Sequence, residues 1–389
     1  MQIVELQGAN HLNKGGQLML IAASEHMASS FPGVSMGLSF RGSDWALRER
    51  DGLKHIIYFE RERFPGMNQF IGAGLSLVPS GIRRSQNLVR ERDIISVLDA
   101  SGFRYTDQWG PAMLETNADR AVRLSRGGTP FVFLPQAFGP FSTERAKTAL
   151  KRLVDSATLV FARDCVSLEH LRSVVGDAPQ LRTGPDFTNL IEPSLAPDLI
   201  VPKRSLMVVP NTRMLDKMGD SVADNYIPFL IDVCVYGAEK GFSPVILVHD
   251  AEEDIALGRR IKRECPVEVT LLFDEDPRRL KGYLAKATAV VSSRFHALVG
   301  ALSCATPSIA VGWSHKYNEL MADYGFPELS MQIEDKDAIF ATLELWSEDA
   351  RRDQVRGVLL ANANIQKDLA REMWSKVDAV IGPRLLAAV

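Results

Sequence analysis

The sequence predicts an α/β protein with two doubly wound, Rossmann-like domains. Short apolar runs rich in Val and Ile alternate with helical patterns, as in successive βαβ units. At 389 residues the chain is too long for one hydrophobic core and fits two domains. The alternation is interrupted at 191–204, where three prolines fall within ten residues, and proline has no N–H for helix or sheet pairing. We therefore predict an N-terminal domain over 1–195, a C-terminal domain over 205–330 and a helical tail over 335–389, with the two domains facing each other across a cleft.

The elements follow from the apolar periodicity of each segment. In the first domain this pattern predicts strands at 3–6, 34–40, 56–59, 131–134 and 158–162, and helices at 17–27, 142–156 and 164–175. In the second domain it predicts strands at 205–209, 244–249, 267–273, 289–292 and 308–311, and helices at 224–240, 252–264, 277–286 and 294–304. Residues 64–92 are rich in Gly and Arg, and we interpret them as a solvated surface or as a mobile loop over the site.

Composition excludes several classes of protein. The formal net charge of -3 argues against a general nucleic-acid binder, which usually carries a basic footprint. The four cysteines are widely spaced, so we expect a reducing compartment and no structural metal site. The loop at 8–16 is neither GxGxxG nor a P-loop, and we expect no bound cofactor. The start of the chain lacks a basic, apolar leader, and no run of eighteen apolar residues occurs, so we expect a cytoplasmic protein without a transmembrane segment.

The strongest functional signal is the predicted strand-to-helix corner at 292–296, which reads Ser-Ser-Arg-Phe-His. Ligands of open α/β sheets bind at the carboxyl ends of strands, and the N-terminus of a helix favours an anion. Ser292 or Ser293 can cap that helix, and the planar fork of Arg294 suits a phosphate or carboxylate. His296 can transfer a proton near neutral pH. We therefore predict Arg294 and His296 as catalytic residues and Ser293 as a substrate-binding residue, against the alternative of a surface arginine and a packed histidine.

A lysine follows the next predicted strand. Ser314 is a candidate N-cap, which places Lys316 in the first turn of the next helix. A cation there opposes the helix dipole unless an anion lies nearby. We therefore predict that Lys316 binds an anionic substrate, although a solvated lysine is the simpler interpretation. Trp313 and His315 share this location, but nothing else in the sequence supports a role for them.

Further candidates follow other predicted strands. The loop at 8–16 ends in two glycines before the first helix, which allows close approach of a ligand to the backbone. An Arg-Asp pair at 163–164 is more often a structural ion pair than a catalytic one. The remaining polar residues that follow apolar strands are assigned to substrate binding in the cleft. The full set of these candidates is Asn13, Gly15, Gly16, Gln136, Arg163, Asp186 and His249.

Together these segments resemble the polysaccharide pyruvyl transferase family across most of the chain. The points of likeness are the loop at 13–16, PQAFGPF at 135–141, ARDCVS at 162–167, GPDF at 184–187, SSRFHALVGALSCATPSIAV at 292–311, and Lys316. The resemblance implies a two-domain GT-B-like fold and transfer of pyruvate from phosphoenolpyruvate onto a sugar as a cyclic ketal. It implies that His296 moves the proton and that Arg294 and Lys316 hold the donor's anionic groups.

The first loop departs from the family pattern. Members commonly carry an acidic residue after the Asn-x-Gly of this loop, where this chain has Gly16-Gln17. The contacts to the acceptor, expected from the loop, Gln136 and Arg163, are therefore less defined than those to the donor. Galactose, glucose and N-acetylmannosamine derivatives all stay open as acceptors, free or lipid-linked. A lipid-linked acceptor would bring the protein to the inner face of the membrane, with the basic segment at 83–92 as the candidate surface.

Two other functions compete with pyruvyl transfer. A nucleotide-sugar glycosyltransferase of the same architecture would use a carboxylate and a Gly-rich loop in the second domain, whereas this chain has Arg and His there. A non-catalytic member of the fold would keep the architecture without the reaction. The oligomeric state is left open by the sequence.

Overall fold

The computed structural model describes residues 2–39, 44–58, 67–198, 200–216, 220–250, 252–312 and 314–386. The chain divides into two compact units. Unit 1 comprises residues 1–12, 19–187 and 369–389, and unit 2 comprises residues 13–18 and 188–368. The domain boundary that we predicted at 195–205, and the separate helical tail that we predicted from 335, both stay predictions. Among the described residues, no helix is long and apolar enough to cross a membrane.

Unit 1 contains an eight-stranded parallel sheet in the order β4-β3-β2-β1-β5-β6-β7-β8. The strands are β1 (Ile3–Gln7), β2 (Ser35–Ser39), β3 (Lys54–Ile56), β4 (Leu88–Val89), β5 (Ile94–Asp99), β6 (Phe131–Gln136), β7 (Leu159–Ala162) and β8 (Leu181–Thr183). The helices are α1 (Lys14–Ser30), α2 (Trp45–Arg50), α3 (Met67–Leu77), α4 (Ser80–Ser85), α5 (Pro111–Arg126), α6 (Glu144–Ser156) and α7 (Cys165–Val175). The first five residues of α1 belong to unit 2.

Unit 2 contains a six-stranded parallel sheet in the order β11-β10-β9-β12-β13-β14. The strands are β9 (Ser205–Val209), β10 (Ser243–Val248), β11 (Thr270–Phe273), β12 (Ala289–Ser292), β13 (Ser308–Val311) and β14 (Ser330–Met331). The helices are α8 (Arg213–Asp216), α9 (Asp220–Glu239), α10 (Glu252–Glu264), α11 (Pro277–Lys286), α12 (Phe295–Leu302), α13 (His315–Asp323), α14 (Lys336–Ser347) and α15 (Asp349–Leu386). Residues of α15 from 369 onward belong to unit 1.

Both units are doubly wound, so the predicted fold class is confirmed. In unit 2 the strand order reverses between β9 and β12, and in unit 1 it reverses between β1 and β5. Such switch points leave a crevice at the carboxyl ends of the strands, where ligands of open α/β sheets bind. The strands beside these points are buried along almost their whole length, as expected for parallel sheets covered on both faces.

The interpretation of 64–92 as a solvated surface agrees with the structure, because most residues of its described part are exposed; α3 and α4 rather than a loop occupy most of it, and residues 64–66 lie outside the described residues. One helix boundary was wrong. The first helix begins at Lys14 rather than Gln17, so Gly15 and Gly16 lie inside its first turn. The reason is Asn13, whose Oδ1 accepts a hydrogen bond from Gly16 N at 2.6 Å and caps the helix earlier than the glycines suggested.

Candidate functional site

The corner that follows β12 lies at the switch point of the unit 2 sheet. Ser293 N donates a hydrogen bond to Val209 O of the neighbouring strand at 3.1 Å. The carbonyl oxygen of Ser293 accepts from Asn211 Nδ2 at 2.8 Å and from the Tyr317 hydroxyl at 2.9 Å. Bonds to β9, to the residue two positions after it and to α13 therefore fix the backbone of this corner, and with it the position of the residues that follow. Ser293 itself is buried.

The N-terminus of α12 is capped differently from the prediction. Arg294, not a serine, occupies the N-cap position, and its side chain makes no capping bond. Ser292 lies two residues before this N-cap, and its Oγ accepts a hydrogen bond from Arg294 N at 3.0 Å. The helix thus begins with backbone N–H groups that its N-cap side chain leaves available, in a region of partial positive charge.

The guanidinium of Arg294 is held by two carboxylates of unit 2. Nη1 donates to Asp250 Oδ2 at 2.7 Å, and Nη2 donates to Asp254 Oδ2. Asp254 is fully buried and also accepts hydrogen bonds from Thr212 N at 3.1 Å and Thr212 Oγ1 at 3.0 Å. Asp250 is half-buried, with 18% of its side chain exposed. Asp254 therefore fixes the orientation of the arginine, while Asp250 occupies the arm that an incoming anion can reach.

Burial raises the pKa of Asp250, although Arg294 and Lys14 act in the opposite direction. Asp250 is the more exposed of the two carboxylates on Arg294, so it is the partner that an anionic ligand would have to replace.

His296 lies against the first turn of α1. A Cβ atom built on Gly15 would stand 2.3 Å from His296 Nδ1 and 2.8 Å from its Cε1, closer than real atoms approach. His296 is half-buried and makes an edge-to-face contact with Phe295, with ring centroids 5.5 Å apart. Glycine is therefore required at position 15 because the imidazole occupies the space of a side chain.

Two further basic groups surround this position. Lys14 Nζ donates to the Glu275 carbonyl at 2.6 Å, and burial lowers the pKa of Lys14. His249, which directly follows β10, is almost fully buried. Burial, together with the charges of His296, Arg294 and Lys14, lowers the pKa of His249 to about 3, so this imidazole is neutral at physiological pH.

Lys316 completes the group from the side of α13. The structure places it in the first turn of that helix, after Ser314 at the N-cap position. Its Nζ lies 5.5 Å from the centroid of the Phe295 ring and 5.4 Å from that of Tyr317. Phe295 thus contacts both Lys316 and His296. Trp313 lies outside the described residues.

The remaining predicted site residues belong to unit 1. Gln136, at the end of β6, is buried, and its Nε2 donates to Asp99 Oδ1 at 3.2 Å. Arg163 N donates to Gln136 O at 3.0 Å, and Arg163 Nη1 pairs with Asp186 Oδ2 at 3.4 Å. The neighbouring Asp164 has another task, because it N-caps α7 by accepting from Ser167 N. The two neighbours at 163 and 164 therefore have separate roles: Arg163 pairs with Asp186, and Asp164 caps a helix.

The predicted residues thus form two groups, one in each unit. The unit 2 group contains Asn13, Gly15, Gly16, His249, Ser293, Arg294, His296 and Lys316, and the unit 1 group contains Gln136, Arg163 and Asp186. The predicted site residues did not include Lys14, Asp250 and Asp254, which belong to the first group. Their signal was present: a lysine inside the predicted loop, and two acidic residues four apart, of which Asp250 closely follows β10 and Asp254 lies in the first turn of α10.

Substituting Gly15 by alanine is expected to reduce catalytic activity at least tenfold without unfolding unit 2. The new methyl group would collide with the imidazole of His296, which is the movable partner in this contact, so the side chain would turn away from its present position. Displacing a catalytic group by about 1 Å can cost about 10²-fold in rate. The measurement is kcat together with the thermal midpoint of unfolding.

Gly357→Ala provides a matched control for Gly15→Ala. Gly357 also lies in a helix, α15, and a Cβ there would meet nothing within 4 Å. This variant should keep full activity. An active Gly15→Ala enzyme would show that the position of His296 against α1 does not matter for the reaction.

Comparisons with known proteins agree with this architecture. The sequence model of the polysaccharide pyruvyl transferase family matches residues 13–315. No curated protein shows significant similarity to the chain. Among solved structures, UDP-GlcNAc 2-epimerase from Neisseria meningitidis bound to UDP-GlcNAc aligns with a TM-score of 0.59 at 11% identity, covering 97% of this chain and 100% of the other. HepE from Anabaena in complex with UDP and glucose aligns with a TM-score of 0.58 at 13% identity, covering 98% of this chain and 100% of the other. At these identities the likeness establishes a shared GT-B-like fold.

Proposed function

The chain belongs to the polysaccharide pyruvyl transferase family, and from this premise we propose that it transfers a pyruvyl group from phosphoenolpyruvate to two hydroxyls of a sugar. The product is a cyclic ketal, and phosphate is released. The observation that carries the proposal is the placement of Arg294 and His296 at the N-terminus of α12, with His296 packed on the first turn of α1.

The donor has the charges that this site can bind. Phosphoenolpyruvate carries a phosphate and a carboxylate, and Arg294 offers a planar guanidinium whose second arm is anchored by Asp254. We propose that one anionic group of the donor replaces Asp250 on Nη1 of Arg294. Lys316 and the first N–H groups of α12 supply further positive charge for the other group.

The proposed chemistry moves three protons and breaks the C–O bond to phosphate. His296 donates a proton to the enol methylene, which becomes a methyl group, and positive charge develops on the central carbon. One sugar hydroxyl adds to this carbon, the C–O bond to phosphate breaks, and the second hydroxyl adds to close the ketal. The two hydroxyl protons pass to the departing phosphate and back to His296, so the histidine ends the cycle protonated as it began.

His249 contributes to this scheme as a neutral neighbour of His296. Because it is buried and neutral, it adds no positive charge beside His296 and does not compete with it as a proton donor. We assign Gln136, Arg163 and Asp186 to the acceptor, on the strength of their position at the carboxyl ends of the unit 1 strands. The acceptor itself, free or lipid-linked, is part of the proposal, as is a cytoplasmic location.

The proposal is tested by incubating the purified protein with phosphoenolpyruvate and a panel of galactose, glucose and N-acetylmannosamine derivatives. We expect phosphate release that requires an acceptor, and an acceptor that gains one pyruvyl ketal by mass spectrometry. Release of UDP from a UDP-sugar, with no phosphate from phosphoenolpyruvate, would support a nucleotide-sugar glycosyltransferase instead. Absence of both activities, together with no binding of phosphoenolpyruvate by calorimetry, would indicate a non-catalytic member of the fold.

A further inference from the structure

Two consecutive helices of unit 1 present large apolar side chains to solvent. On α3, 72% of Phe70 and 86% of Leu77 are exposed. These residues are seven apart, which is two helical turns, so they project from the same face. On α4, 54% of Ile82 is exposed. Scattered apolar residues on a surface are common, but three within thirteen residues form a local patch.

The opposite face of α3 is buried. Asn68 and Leu75 are both only 9% exposed, and they too are seven residues apart. Arg83 fastens α4 to the end of α3, because its Nη1 donates to the carbonyl oxygens of Leu75 at 3.3 Å and Val78 at 2.7 Å. The two helices therefore form one anchored surface with an apolar outer side, which we call the α3–α4 surface (residues 67–85).

All charged side chains of the α3–α4 surface and the residues just after it are positive. Residues 67–90 contain three arginines and no Asp or Glu. Arg83 is used to join the helices, and Arg90 makes a two-bond ion pair with Asp93 at 2.7 Å. Arg84 is exposed, and its Nε contacts the Ser80 carbonyl; among the described residues no carboxylate pairs with it. An exposed cation thus lies two residues from the exposed Ile82.

We propose that the α3–α4 surface docks on the face of an anionic lipid bilayer. Apolar side chains on one helical face enter the boundary between headgroups and acyl chains, while arginines attract anionic headgroups. A second copy of the chain fits less well, because residues 67–90 contain no Asp or Glu that could pair with Arg84 of the other copy. The patch of three side chains is also small beside the roughly 800 Å² per partner that a stable protein interface buries.

This inference does not depend on the donor or on the reaction. It concerns a surface formed by α3 and α4, and none of the residues assigned to donor binding lies there. It deepens the proposed function in one respect, because a lipid-linked sugar would be presented at such a membrane face. Vesicle binding is measured without substrate, so its failure and the failure of pyruvyl transfer are separate results.

The test is co-sedimentation of the full chain with vesicles of phosphatidylcholine alone or mixed with phosphatidylglycerol. We expect binding to the anionic vesicles and little binding to the neutral ones. Replacing Phe70 and Leu77 together by serine should weaken the partition coefficient at least tenfold. Arg84→Glu should weaken it about fivefold or more, and added salt should have a similar effect, since each basic residue near such a surface contributes about 1 kcal/mol.

The matched control is the double variant Leu360→Ser/Ile365→Ser on α15. These side chains are 56% and 53% exposed, so the change in surface hydrophobicity is comparable, and binding should be unchanged. Leu77→Trp gives an independent readout, because its fluorescence should shift to the blue only with anionic vesicles. The proposal is overturned if the wild-type chain stays in the supernatant, or if the control weakens binding as much as Phe70→Ser/Leu77→Ser. It is also overturned if that variant dissociates a dimer in sedimentation velocity without changing vesicle binding.

Discussion

Replacing His296 by alanine is expected to lower the rate of pyruvyl transfer by about 10²–10⁴-fold, the range typical of a lost general acid or base. The site would keep Arg294 in place, since the guanidinium is held by Asp250 and Asp254 and not by the histidine. The loss should therefore fall on kcat, while the KM for phosphoenolpyruvate changes little. Steady-state kinetics with an unfolding curve for each protein provide the measurement.

The control for this variant is His26→Ala in unit 1. His26 is also a partly buried histidine, paired with Asp378 at 2.8 Å and stacked on Trp374, and we assign it no part in the reaction. Its loss should leave kcat unchanged. A folded His296→Ala protein with wild-type kcat would refute the proton-transfer role, and an equal loss in both variants would point to a general structural effect.

Replacing Arg120 by alanine is expected to destabilise unit 1 by about 3–5 kcal/mol, as when one partner of a buried ion pair is removed. Arg120 is fully buried; its Nη1 donates to Glu5 Oε1 at 3.0 Å and its Nε donates to Glu91 Oε1 at 2.9 Å. Its guanidinium also stacks on Tyr58 at 3.9 Å from the ring centroid. Burial by itself would lower the pKa of Arg120, but the charge of Glu5 and its hydrogen bonds raise that pKa above the usual value.

The cost arises because Glu5 is also fully buried and would lose the guanidinium that offsets its charge. Thermal unfolding followed by circular dichroism should show a fall in Tm of about 10 °C, since 1 kcal/mol corresponds to about 2–4 °C in a unit of this size. The paired change Glu5→Gln/Arg120→Met should recover much of the loss, because it removes both charges at once.

Arg123 offers a matched control on the same helix. It pairs with the same Glu91 carboxylate at 3.0 Å but is exposed to solvent. Exposed ion pairs are typically worth about 0–1 kcal/mol, so Arg123→Ala should shift Tm only slightly. Equal shifts for Arg120→Ala and Arg123→Ala would contradict the argument from burial.

The fold could be predicted where the chain alternates strongly between apolar runs and helical patterns. In unit 2 the five predicted strands all correspond to strands of the sheet, and the predicted helices at 252–264 and 277–286 match α10 and α11 in full. In unit 1 the prediction omitted the strands β4, β5 and β8 and the helices from α2 to α5. Residues 94–99 contain Ser and Asp within an apolar run, and their polar side chains become acceptable only because partners inside the fold satisfy them.

Pairwise contacts far apart in sequence were beyond prediction. Asp99 illustrates this, because Gln7 of β1 and Gln136 of β6 both donate to its carboxylate, together with the nearby Tyr105. Burial raises the pKa of Asp99, and its hydrogen bonds act in the opposite direction. A sequence pattern identifies each residue as polar, but it does not say which of them meet.

The sequence by itself determined the class of fold, the family and the chemical types present at the corner between β12 and α12. These properties are local, since they depend on the periodicity of apolar residues and on short motifs read in order along the chain. The tertiary structure decided how those groups are used: Arg294 is clamped by Asp250 and Asp254, and His296 fills the space left by Gly15. These contacts join residues 40 to about 280 positions apart, and only the packing of helices onto a closed sheet brings such residues within a few ångströms of each other.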